Sequence, residues 1–207
     1  MGKMTFYHGA MNGGKSTRVI QTAHNYEEAG YKPLLIKPST DTKDTGISTR
    51  VGLSKEVDFT YDKNTNLYQI ISNLVVRPHV VIVDEVHFST PIHIEQLHDV
   101  AKQQTDAKDV ICYGLVTDFA KNGFPAGSRL MELADNRIEI PTLCMSKRHL
   151  DTPKKARFNS RVAIETGQMM LEGEQEVVDT GSNDFEYIPL CGDCYAVMET
   201  EAKDASI

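Results

Sequence analysis

No run of about 18 apolar residues occurs in this chain, so no membrane-spanning helix and no membrane partner are expected. Cysteine is scarce. Four in 207 residues are too few for a disulfide scaffold, and two of them, Cys191 and Cys194, form a C-x-x-C that suits a metal site in a reducing compartment. A cytoplasmic location is therefore expected. Positive charge is in deficit, with 22 Lys and Arg against 29 Asp and Glu and a net charge of −7. A general nucleic-acid binder carries a basic face, so no nucleic-acid partner is expected. The N-terminus shows no secretory pattern, and there is neither an internal repeat nor a low-complexity segment. A chain of this length is expected to hold one full domain plus something smaller, with a real buried core.

What is present starts at once. Met4–His8 reads as a strand and Thr17–Glu28 as a helix. Between them Gly9-Ala-Met-Asn-Gly-Gly14-Lys15-Ser16 fits G-x-x-x-x-G-K-[ST]. Glycines let backbone N–H groups turn toward one point and approach an anion closely. The following helix places its positive end there. Lys15 is expected to reach the β- and γ-phosphates of ATP, and Ser16 to bind Mg²⁺. The predicted phosphate-binding set is Gly9, Asn12, Gly13, Gly14, Lys15, Ser16 and Thr17.

Strand and helix signals alternate over the first two-thirds, which predicts a parallel α/β sheet. Pro33–Lys37 reads as a strand, and the polar stretch from Pro38 to Arg50 as a mobile loop. Leu67, Ile70, Ile71 and Leu74 have helical spacing. Val80–Val83 is a short apolar run that delivers Asp84 and Glu85 at the end where ligands bind in doubly wound sheets. Asp84 is expected to hold Mg²⁺. Glu85 is placed to take a proton from water or from a substrate hydroxyl, so an ATPase and a kinase both fit. Thr90 and Pro91 start a helix. Val110–Leu115 is a further buried strand that runs into the loop VTDFAKNGFPAGS, and Arg137–Pro141 reads as an edge strand. Composition changes near Thr142. The polar tail from Met198 is expected to fray.

The order GAMNGGKST, VDEVHF, CYGLVTDFAKNGFPAGS and a late cysteine pair before Tyr195 resembles the thymidine kinases of the cytosolic, zinc-containing class. The likeness covers Met4 to Tyr195. It implies a RecA-like P-loop domain over residues 1–141 and a small zinc-ribbon-like lasso domain over 142–195; the polar tail over 196–207 is expected to be disordered. The likeness implies transfer of the γ-phosphate of ATP to the 5′-hydroxyl of thymidine, with deoxyuridine as a further candidate substrate, and Glu85 as general base. A homotetramer inhibited by thymidine triphosphate is implied in the same way.

Other residues gain roles only through this resemblance. Met11, Leu115, Phe119 and Phe124 look like walls of a nucleoside pocket, with Phe119 stacking on the base. Asn159, Val178, Gly181 and Tyr187 fall in the lasso that closes over the base. Asp41 and Lys43 stand where the family has a mobile-loop Asp-x-Arg, and Lys43 is expected to meet phosphate as a point charge. His87 replaces a usual Gln and reads as a hydrogen-bonded structural group. The family's structural Zn²⁺ has two ligand pairs. Cys191 and Cys194 supply the second, but the first is broken, because Lys147 stands where a cysteine belongs. Lysine is no zinc ligand. His149, five residues after Cys144, can supply the fourth ligand, with Asp151 a weaker candidate, so a Cys₃His site of Cys144, His149, Cys191 and Cys194 is expected ahead of a lost or three-ligand site.

Overall fold

The computed structural model describes residues 2–39, 46–103, 106, 108–149, 151–175 and 184–205. The chain divides into two compact units. The first is Met1–His8, Gly14–Val116 and Phe124–Glu139; the second is Gly9–Gly13, Thr117–Gly123 and Ile140–Ile207.

In the first unit strands and helices alternate as the hydrophobic pattern requires. Its elements are β1 (Met4–His8), α1 (Lys15–Glu28), β2 (Pro33–Pro38), β3 (Gly46–Ser48), β4 (Ser54–Glu56), β5 (Phe59–Tyr61), α2 (Leu67–Ser72), β6 (Val80–Val83), α3 (Pro91–Lys102), β7 (Asp109–Gly114), α4 (Pro125–Leu133) and β8 (Asn136–Glu139). Six strands form one sheet in the order β5-β2-β6-β7-β1-β8, every pair parallel. β6 lies inside the sheet and all four of its residues are fully buried, as an apolar strand covered on both faces must be. β8 is one of the two edge strands, and all of its residues are exposed. The strand that leads to Gly9 and the strand that leads to Asp84 are separated only by β7. This is the RecA-like arrangement of a P-loop sheet.

Local signals set the helix ends. Thr90 caps α3 through a capping box with His93, and Pro91 opens the first turn. Ile94, Leu97 and Ala101 are buried, as their spacing requires. α2 is shorter than its apolar spacing implies. It runs from an Asn66 cap to Ser72, and Leu74 lies beyond it. Part of the polar stretch expected as loop is ordered. β3 pairs antiparallel with β4, because Ile47 has a buried place to go and Gly52, at φ +84°, permits the turn. Asp41 and Lys43 lie outside the described residues.

The second unit contains an antiparallel hairpin of β9 (Phe158–Ala163) and β10 (Phe185–Leu190), followed by α5 (Gly192–Asp204). The segment expected to fray is helical as far as Asp204. Polarity gave the expectation of disorder, yet METEAKD is rich in helix formers. Tyr195 and Ala202 are buried in this helix, Met198 packs on the same apolar cluster, and Glu199 pairs with Lys121 at 2.9 Å.

Candidate active site

The phosphate loop is built by backbone geometry. Asn12 and Gly14 have φ of 63° and 74°, the left-handed conformation that Asn tolerates and Gly adopts freely. A Cβ on Gly13 would lie 2.5 Å from Thr142 Oγ1, so only glycine fits. Gly14 caps α1 without a side-chain hydrogen bond. The cap residue thus brings no side chain of its own to the first N–H groups of α1, which suits an anion.

The charged groups of the first unit converge after β6. Asp84 is buried, and the Ser16 hydroxyl donates to its carboxylate. Burial and the charge of Glu85 push the Asp84 carboxyl above the ordinary range. Burial pulls the Lys15 ammonium below its usual range, against the charges of Glu85 and Asp84. Glu85 has φ 51° and ψ 32°. Such a conformation costs energy in a side-chain-bearing residue and recurs at functional sites. Its N–H donates to Asp84 Oδ1 at 3.0 Å. Desolvation raises its carboxyl, against the pull of Lys15 and Lys37. The side chain keeps 43% exposure, which limits that rise.

His87 has a definite place in this cluster. Leu115 N–H approaches Nδ1 at 3.4 Å, so Nδ1 is the acceptor and the proton belongs on Nε2. Nε2 lies 3.4 Å from Glu85 Oε2. Burial first, then the charge of Lys15, lowers the imidazole to about 3, so the ring is neutral and points its N–H at Glu85. The hydrogen bond from Leu115 agrees with the expectation of a hydrogen-bonded structural group, and Glu85 lies beside the same ring. Phe124 packs edge-on against His87 at 4.8 Å, so the structure gathers Leu115, Phe124 and Glu85 around this imidazole.

In the second unit Phe119 is buried, with the Arg161 guanidinium 3.8 Å from its ring centre. Arg161 Nε and Nη2 donate to Tyr187 Oη at 3.1 and 2.5 Å, and Nη2 also donates to Glu174 C=O at 2.8 Å. Tyr195 Oη donates to Phe119 C=O at 2.7 Å. Phe119 and Tyr187 are thus brought together through Arg161. Asn159 Oδ1 accepts from Met11 N–H at 2.7 Å. Lys43, Val178 and Gly181 lie outside the described residues.

The predicted metal ligands meet. The donor atoms of Cys144, His149, Cys191 and Cys194 all lie within 4.8 Å of one another. Cys194 Sγ is 2.9 Å and Cys191 Sγ 3.3 Å from His149 Nε2. Zinc–sulfur bonds of about 2.3 Å and zinc–nitrogen bonds of about 2.0–2.1 Å give S···N edges of about 3.6 Å, so these three thiols and the imidazole would hold one Zn²⁺ after shifts of under about 1 Å. Lys147 is exposed and takes no part.

Sequence reasoning gave no site role to Arg161, Lys37 or the His87–Glu85 pair. Only Arg161 left a usable signal, because a strand FNSRVA puts Asn159 and Arg161 on one face.

A parallel sheet with a glycine-rich loop after β1 and two carboxylates after β6 defines a P-loop nucleotide-binding protein. The family model described as "Thymidine kinase" matches residues 2–195. Among similar proteins, the "Thymidine kinase" of Photorhabdus laumondii is 34% identical over 98% of this chain and 96% of its own length. That of Legionella pneumophila strain Lens is 36% identical over 92% and 88%. That of Vibrio vulnificus strain CMCP6 is 36% identical over 94% and 97%. The chain belongs to the thymidine kinase family.

Proposed function

We propose that this kinase transfers the γ-phosphate of ATP to the 5′-hydroxyl of thymidine, giving ADP and thymidine monophosphate. The observation that carries the reading is the junction after β6 in a chain of this family. There Asp84 accepts from Ser16, and Glu85 lies within reach of Lys15 and Lys37. Lys15 and the loop amides hold the phosphates. The adjacent oxygens of Ser16 and Asp84 suit a hard cation; Mg²⁺ bound there neutralises charge on the transferring phosphoryl group. Glu85 accepts the hydroxyl proton, and His87 orients its carboxylate. Phe119, buried with Arg161 over its ring, is the residue that the family resemblance assigns to the base. Zn²⁺ is held by Cys144, His149, Cys191 and Cys194 as a structural ion. Assembly as a homotetramer, inhibition by thymidine triphosphate and a cytoplasmic location belong to the same reading. Among the described residues no helix is long and apolar enough to cross a membrane.

The test is ADP release from Mg·ATP with thymidine, deoxyuridine, deoxycytidine or no nucleoside, with the phosphorylated product identified. Strong release with thymidine is expected. The thymine methyl is worth about 1–3 kcal/mol in an apolar pocket, so deoxyuridine is expected to be a weaker substrate. ADP release that ignores the nucleoside would contradict the reading.

A further inference from the structure

Asn159 and Arg161 stand two residues apart on β9, so their side chains leave the same face of the strand. They do parallel jobs on two loops. Arg161 covers Phe119 in the loop after β7. Asn159, itself 4% exposed, has its Oδ1 2.7 Å from the N–H of Met11, a residue 148 positions away at the centre of the phosphate loop. Met11 is followed at once by the left-handed Asn12, and Gly14 repeats that conformation. The loop's conformation therefore depends on how the peptide before Asn12 is held. Asn12 Nδ2 meets Met145 Sδ at 3.5 Å, and the Thr142 hydroxyl beside Gly13 is buried without a hydrogen-bond partner.

We propose that Asn159 is a positioning residue for the phosphate loop. Its carboxamide oxygen fixes the Met11 peptide, so that the amides after it keep the turn that receives the phosphates of ATP. The assignment rests on the proposed use of this loop for ATP. It has two consequences. The Met11 N–H is committed to Asn159 and is not a phosphate donor. Removing the oxygen leaves a part-buried N–H unpaired, and the loop leaves its turn to rehydrate that group. The cost then falls on ATP binding and not on the nucleoside, the contact that the family resemblance expects of position 159.

The experiment compares wild type, Asn159→Ala and Ser160→Ala by the KM for ATP, the KM for thymidine and the Kd for Mg·ATP without nucleoside. Ser160 is the neighbouring control, because its hydroxyl is fully buried and has no partner. Asn159→Ala is expected to raise the KM and Kd for ATP about tenfold and leave the KM for thymidine within about twofold. Ser160→Ala is expected to change none of them. A rise confined to the KM for thymidine, or no change in the Kd for Mg·ATP, would overturn the proposal. Hydrogen exchange at the Met11 amide of the unaltered protein needs no variant. Protection is expected, and exchange as fast as in an open loop would overturn the proposal. A wild type that binds no Mg·ATP would instead remove the functional reading, and this assignment with it.

Discussion

His87 is a neutral, buried imidazole set beside the Glu85 carboxylate. The imidazole is buried, accepts from Leu115 N–H and turns its remaining N–H toward the Glu85 carboxylate. Its folded-state value of about 3 lies below the ordinary His value of about 6.5. The unfolded chain therefore binds a proton that the folded chain refuses. Stability from this group is complete above about pH 6.5 and is lost as pH falls toward 3. Between pH 7.5 and 5.5 wild type should lose about 1 kcal/mol more than His87→Gln, measured by denaturant unfolding of both at each pH. An equal loss in both proteins would contradict a buried neutral His87. The gathering of Lys15, Ser16, Asp84 and Glu85 was legible from motif spacing. The His87–Glu85 pair was not, because it depends on the left-handed turn at Glu85 that follows β6. No local pattern encodes that turn.

At the scale of elements, β6 and β7 were readable because a fully apolar run has few places to go but the interior of a parallel sheet. β3, β4 and β5 were not, because three-residue strands carry too little periodicity and owe their pairing to tertiary contacts. α5 was misjudged for the same reason, since the apolar cluster around Tyr195 and Ala202 sustains a helix that polarity alone would fray. This element also starts at the metal cluster. Cys191 caps it and Cys194 lies in its first turn, while Cys144 N–H bonds to Lys154 C=O and Met145 N–H to Pro189 C=O. A bound Zn²⁺ thus ties the start of α5 to a segment about 45 residues earlier in the chain and adds its binding energy to folding. One zinc per chain is expected by elemental analysis of purified wild type. Cys194→Ser or prolonged chelation should lower the metal content and the Tm by several degrees. A metal-free wild type with an unchanged Tm would contradict a structural zinc.

For the whole molecule, the family model spans nearly the entire chain, and the local chemistry agrees with it. Phosphoryl transfer asks little covalent chemistry of a protein and a great deal of positioning and charge. The first unit supplies a lysine, a hydroxyl and two carboxylates in one cluster. Each unit has an internal contact of its own, His87 beside Glu85 in the first and Arg161 over the Phe119 ring in the second. The central claim is that Glu85 takes the proton from the thymidine 5′-hydroxyl. The most direct test is kcat for Glu85→Gln with Mg·ATP and thymidine, measured beside the Kd of each ligand. A fall in kcat of about 10²–10⁴-fold with both Kd values within about threefold of wild type is the predicted result. A kcat near that of wild type would contradict the account.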